Sequence, residues 1–325
     1  MLKKDLEKIL FIRSDRLGEF LLSLPAIKAV KSNYPKSKVY LLAKKENTEL
    51  INGIDFIDSF LEYEEKRFKS YGGALRLSRI FKKEKIDCII TLNPKKEFHL
   101  ASFLAGVPLR LGYDRKWGFC LNRKIEDRKS LAQKHEVEYN LDLIRLLCPQ
   151  VFVPEVNLVT DSKDNLEFLK NDLDIKKQYI VLHPFSSNPS KKIERQFWEK
   201  LIAAFKKQDK EEIVIIGGPE ELEESLTFAK GLAVKNITGK LRIRNLASFL
   251  KYNCSVFIGL DSGPMHLAST LKKPVVGLFS ISNSKRWGPF NTEALVIESV
   301  DLEGFIARIE DIVMFVRKKL TIGMK

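Results

Sequence analysis

At 325 residues the chain exceeds what one hydrophobic core usually serves, so two domains are expected. A hydrophobic fraction of 44%, with 21 Phe, excludes large-scale disorder, and the apolar runs fall far short of the ~20 residues of a membrane-spanning helix. A net charge of +14 favours an anionic partner, but Lys and Arg are spread along the chain in none of the compact motifs of nucleic-acid modules, and a generally basic surface would give the same total.

From the N-terminus, Lys and Glu precede a four-residue apolar run that is too short for a secretory signal, so a cytoplasmic location is expected. Lys8 to Arg13 reads as a buried strand. A Gly-containing loop follows, then a helix from about Glu19 to Asn33 with Phe20, Leu24, Ile27 and Val30 on one face, which Pro25 kinks or opens. Further strands are expected at Lys38 to Leu42 and Ile86 to Thr91, with helices at Ala74 to Lys83 and His135 to Leu147. Two prolines, Pro149 and Pro154, then interrupt the pattern, which places a domain boundary there, between 1–155 and 156–325.

The second half restarts the alternation. Tyr179 to Leu182, Ile213 to Ile216, Val256 to Ile258 and Pro274 to Phe279 read as strands, with helices at Gln196 to Lys207 and Glu220 to Leu232. The last helix, 302–320, carries an apolar stripe through Phe305, Ile309, Ile312 and Val316, and packing back on the N-terminal domain is one expectation for it. The class is α/β, with two Rossmann-like doubly wound domains. Cys88, Cys120, Cys148 and Cys254 form no CxxC pair and the four His form no HExxH array, so buried thiols and no structural metal are expected.

In such sheets ligands bind beyond the carboxyl ends of strands. Three loops qualify. Ser14 to Glu19 places a carboxylate in the first turn of a helix, where complementing the helix dipole would explain it as well as chemistry does. His183 to Lys192 is rich in hydroxyl and amide groups and ends in two lysines, suited to a phosphate or to a solvated turn. Gly259 to Ala268 joins a strand to a helix whose free N–H groups offer an anion site at Ser262 and Gly263. There Asp261 could equally cap the helix, and His266 could equally be a satisfied core histidine. Neither GxGxxG nor a Walker A sequence is present, which weighs against a dehydrogenase or an NTPase.

The stretch Ile12-Arg13-Ser14-Asp15-Arg16-Leu17-Gly18-Glu19-Phe20-Leu21-Leu22-Ser23-Leu24-Pro25-Ala26 resembles the N-terminal signature of glycosyltransferase family 9, the lipopolysaccharide heptosyltransferases. Asp261-Ser262-Gly263-Pro264-Met265-His266-Leu267-Ala268, followed by Lys273 to Phe279, is similar to that family's C-terminal signature. His183-Pro184 with Lys191, and Gly217-Gly218-Pro219-Glu220-Glu221, match in order between them. The resemblance implies a GT-B fold, its two domains facing a central cleft, with an N-terminal acceptor domain, a C-terminal nucleotide-sugar domain and no required metal or cofactor.

By the same resemblance Glu19 is the general base, standing where the family usually has Asp. Lys191, Ser187, Ser262 and Gly263 hold the diphosphate, Glu221 the ribose, and Asp261 and His266 the phosphate loop, while Arg16 and Gly18 lie on the acceptor side. Ser262 replaces the usual Thr. Ile193-Glu194 replaces a common Trp-Pro pair, so the choice between Lys191 and Lys192 stays open. The expected donor is ADP-heptose or a relative, the acceptor an anionic glycolipid, and the enzyme is expected to make peripheral contact with the inner face of the cytoplasmic membrane. A sugar-nucleotide epimerase of the same fold, or a non-catalytic glycan- or nucleic-acid-binding protein, would share many of these features.

Overall fold

The computed structural model describes residues 6–206 and 212–322. The chain divides into two compact units between Val159 and Thr160. The segment after Pro154 belongs with the first unit for a physical reason: Lys28 Nζ donates to the Glu155 carbonyl at 2.7 Å, and Val156 and Leu158 are buried.

The first unit is one parallel sheet of six strands, β1 (Lys8–Ile12), β2 (Lys38–Ala43), β3 (Ser59–Glu62), β4 (Cys88–Thr91), β5 (Leu109–Tyr113) and β6 (Arg123–Ile125). Their spatial order is β3-β2-β1-β4-β5-β6. Ile9 to Ile12 and all of β4 are buried, as parallel strands covered on both faces must be. The expected single helix from Glu19 to Asn33 is instead two, Leu17–Leu21 and Leu24–Asn33. Ser23 sits at the break, and Pro25, which has no N–H to give, occupies the first turn of the second helix, where none is needed. The helix Tyr71–Lys83 starts earlier than Ala74 because Ser70 caps it, its hydroxyl accepting from Gly73 N.

The second unit repeats the plan with β7 (Tyr179–His183), β8 (Glu212–Ile215), β9 (Lys235–Asn236), β10 (Cys254–Leu260), β11 (Val275–Phe279) and β12 (Ala294–Glu298), ordered β12-β11-β10-β7-β8-β9. Counted from its own first strand, this is the order of the first unit. Phe197, Trp198, Leu201, Ile202 and Phe205 line one face of the helix Arg195–Lys206 and fill this core, each a side chain whose burial stabilises by about 1.5–3 kcal/mol. Lys207, included in the expected helix, lies outside the described residues. The final helix is broken into Leu302–Ile306 and Ile309–Ile322, and Phe305, Ile309, Ile312 and Val316 join the core of the second unit itself.

Candidate active site

Both sheets reverse their strand order beside the first strand, between β1 and β4 and between β7 and β10. Loops leaving the carboxyl ends of such neighbouring strands part company there and leave room for a ligand. The loops singled out in the sequence all leave from these strands.

In the first unit the loop after β1 is organised by a cation that the sequence did not flag. Arg13 is 2% exposed. Its Nε lies 3.0 Å from Asp15 Oδ1 and also donates to the Glu19 carbonyl at 3.1 Å, while Nη1 donates to Leu92 O at 3.2 Å. Nη2 reaches Glu136 Oε1 at 3.4 Å, and Lys129 Nζ reaches the same carboxylate at 2.7 Å. Burial acts to lower the Arg13 pKa, but Asp15, Glu136 and Glu19 more than offset it and raise the pKa above its ordinary value. A buried charge persists only when paired in this way.

The Glu19 backbone is therefore pinned while its side chain is not. It stands in the first turn of the helix Leu17–Leu21, half-buried, and among the described residues its carboxylate makes no hydrogen bond or ion pair. Arg16 is exposed and Gly18 is buried beside it. Ser14 is tied to the loop after β4: its N–H donates to Asn93 Oδ1 at 3.2 Å and its hydroxyl accepts from Asn93 Nδ2 at 3.1 Å.

In the second unit the geometry brings together residues separated by up to 83 positions. Lys191 Nζ lies 2.5 Å from Asp261 Oδ2, and His266 Nε2 lies 3.4 Å from Asp261 Oδ1. Burial pushes the Asp261 carboxyl up, but His266 and Lys191 outweigh it and hold the pKa at about 2. Lys192 turns the other way, to exposed Glu224 at 2.7 Å. Ser187 is exposed, with its hydroxyl beside none of these groups among the described residues.

His183, in the sequence only one member of the His183-Pro184 motif, closes the centre. Its Nε2 lies 3.2 Å from Glu221 Oε2 and its Nδ1 3.1 Å from Ser262 Oγ. A carboxylate only accepts, so Nε2 carries the hydrogen, and in the neutral ring Nδ1 accepts from the Ser262 hydroxyl. Burial pushes the Glu221 carboxyl up, yet His183 and the Gly218 N–H, which donates at 2.8 Å, bring it below its ordinary value. Gly217 makes this possible, because a Cβ there would stand 2.7 Å from Glu221 Oε2. Gly259 likewise admits the His183 carbonyl, 2.9 Å from where its Cβ would be.

Because Ser262 spends its hydroxyl on His183, it does not cap the helix Gly263–Thr270 that it opens. The first N–H groups of that helix stay available to an anion, with Lys191 beside them. Among the described residues no group of three or more His, Cys, Asp or Glu could hold a metal ion.

Residues 74–307 match the family described as glycosyltransferase family 9 (heptosyltransferase). The chain belongs to glycosyltransferase family 9. It is 28% identical over 308 residues to a Haemophilus influenzae protein whose name goes no further than glycosyltransferase, covering 88% of this chain and 87% of that one. It is 24% identical over 294 residues to lipopolysaccharide heptosyltransferase 3 of Escherichia coli K12, covering 86% and 84%. Among solved structures, a family 9 glycosyl transferase of Veillonella parvula superposes with a TM-score of 0.84 at 19% identity, over 98% of this chain and 99% of that chain. The Escherichia coli ADP-heptose heptosyltransferase II gives 0.80 at 18%, over 96% and 99%. The fold is therefore GT-B, two Rossmann-like domains, and the protein is a glycosyltransferase.

Proposed function

We propose that this family 9 member is an inverting transferase that moves a heptose from ADP-heptose, or a close relative of it, onto a lipopolysaccharide core or a related anionic cell-surface glycan. The observation that carries the reading is the second unit's anion-ready helix end, Ser262 and Gly263, flanked by Lys191, Asp261 and His266 at a strand reversal. Lys191 and the helix N–H groups stabilise the leaving diphosphate, and Glu221 takes the ribose hydroxyls. Asp261 and His266 hold the loop in shape, and Ser187 adds a hydrogen bond when the donor is bound.

In the first unit Glu19 accepts the proton of the acceptor hydroxyl as that oxygen attacks the anomeric carbon. Configuration inverts in this single displacement. Arg16 and Gly18 border the acceptor. An acceptor bearing phosphates suits a chain of charge +14, which anionic lipids at the inner face of the cytoplasmic membrane would also attract. The lipopolysaccharide and ADP-heptose in relatives' names supply the choice of donor and acceptor.

A thermal-shift screen of nucleoside diphosphates and nucleotide sugars tests the donor. A ligand that binds only the folded chain stabilises it by about 2.7 kcal/mol at a hundredfold excess over Kd, so ADP and ADP-heptose are expected to raise Tm while UDP and GDP do so less. A clear preference for UDP or GDP would replace the donor, and no shift with any nucleotide would remove the reading.

A further inference from the structure

Three aromatic rings stand in a row at the carboxyl edge of the first sheet. Tyr71 follows the loop after β3, and Trp117 and Phe119 lie in the loop after β5. Ring centroids are 5.7 Å apart from Tyr71 to Trp117 and again from Trp117 to Phe119, with interplanar angles of 35° and 31°. Tyr71 is 64% exposed and Phe119 73%. Lys96, after β4, places its ammonium 5.9 Å from the Trp117 ring centre.

The middle ring is held in place at a cost. Lys116 and Trp117 are both left-handed, at φ 50° and 70°, a conformation that bulky side chains rarely adopt. The surrounding structure imposes it: buried His99 donates from Nδ1 to the Lys116 carbonyl at 3.0 Å, and Cys120 N–H donates to the Trp117 carbonyl at 3.0 Å. A ring that merely dipped into a bilayer would need no such fixed backbone. A ring against which a ligand packs gains from it, because less order remains to be imposed on binding.

The segment after β4 reaches both the row, through Lys96, and the loop of Glu19, through Asn93. Asn93, two residues before Lys95, makes both hydrogen bonds to Ser14 described above. β5 is two strands from β1, about 10 Å across the sheet at the usual strand spacing, or about one to two sugar residues from the Glu19 loop.

We propose that Tyr71, Trp117 and Phe119 form an acceptor subsite, a platform on which a sugar ring of the glycan stacks while Lys96 pairs with a phosphate or carboxylate on it. The C–H face of a pyranose is apolar and matches the faces of aromatic rings, and the adjoining ammonium suits an anionic substituent. The inference rests on the acceptor being an anionic glycan, as proposed above.

The test uses the full chain and its Tyr71→Ala, Phe119→Ala and Lys96→Met variants. The probes are deacylated lipopolysaccharide core oligosaccharide, phosphorylated and dephosphorylated, and phosphatidylcholine vesicles with and without phosphatidylglycerol. Calorimetry is expected to show each ring variant binding both oligosaccharides about 10-fold more weakly, the equivalent of a lost aromatic contact. Lys96→Met should weaken only the phosphorylated probe, and ADP affinity should stay unchanged throughout. Both exposed rings can be removed without opening the core, so loss of folding is not a competing outcome.

Oligosaccharide binding that ignores the ring variants, or no oligosaccharide binding at all, overturns the subsite. Vesicle binding that needs phosphatidylglycerol and these rings, without oligosaccharide binding, would make the row a membrane contact instead. Oligosaccharide binding that needs the rings, in a chain that binds no nucleotide, would keep the subsite and remove the donor reading alone.

Discussion

Arg13, just past β1, is sealed between Asp15 and Glu136 with 2% of its surface exposed. Lys191, in the loop after β7, pairs with Asp261 while about a fifth of its side chain, 21%, remains in solvent. The two cations stand in corresponding loops, each leaving the first strand of a sheet of the same strand order. The first has every neighbour it needs and fixes a backbone, including the carbonyl of Glu19. The second has one carboxylate, which a phosphate can replace. Corresponding loops in one fold thus differ, the first sealed into structure and the second, in the function proposed above, left open to a ligand, because the loops and not the sheets carry the chemistry.

The contrast breaks hardest at Glu136. Glu136→Leu leaves Arg13 and Lys129 without their shared carboxylate and is expected to cost about 3–5 kcal/mol in denaturant unfolding, the range for splitting a buried pair. A loss below about 1 kcal/mol would place the network with ordinary surface pairs. In the second unit, Lys191→Ala should instead leave folding nearly intact and weaken ADP binding by about 1.5–3 kcal/mol in calorimetry. Lys192→Ala, whose partner Glu224 is exposed, should cost less than about 1 kcal/mol. An equal loss at Lys192 would remove the preference for Lys191, and a larger one would reverse it.

Acid sharpens the comparison further. The Asp261 pKa of about 2 in the folded chain lies below the ordinary 3.8, so the stability it contributes is complete above about pH 4 and is lost as pH falls toward 2. The shift corresponds to about 2 kcal/mol at neutral pH, and Asp261→Asn should flatten the melting-temperature profile across that window. An unchanged slope would mean that Lys191 and His266 do not hold the carboxylate. Ser262→Ala removes one hydrogen bond to His183 and should lower stability by about 1 kcal/mol, read from Tm, with ADP still bound.

Much of this was legible in the sequence wherever a segment carries its own pattern. β1, β2, β7 and β11 are short apolar runs flanked by charge or proline and were readable to within a residue or so. Both helices that came out broken did so where local pattern competes with the chain's turns, at Ser23 and again between Ile306 and Ile309. β3, β6 and β9 escaped because edge strands as short as Lys235–Asn236 or as polar as Arg123–Ile125 show no periodicity.

The site divides in the same way. Lys191, Glu221, Asp261, Ser262 and His266 sit in recognisable motifs at loops and the helix turns they open, and the fold gathers them. Arg13 and Glu136 are 123 positions apart, and nothing local to either reports the other. His183 stands inside a recognisable motif, but its two partners, 38 and 79 positions away, are a matter of three-dimensional structure. The one signal available for Arg13 was a charged residue directly continuing an apolar strand.

The claim that most needs testing is that a pinned backbone presents the free carboxylate of Glu19 as the base. Turnover and ADP affinity should be measured on one preparation of Glu19→Gln, which keeps size and hydrogen bonding but loses the basic oxygen. Turnover with a verified acceptor is expected to fall ~100-fold or more while ADP affinity and melting temperature hardly move. Near-normal turnover, with at most about 0.3–1 kcal/mol of lost stability, would mean that Glu19 only complements its helix dipole and is not the base.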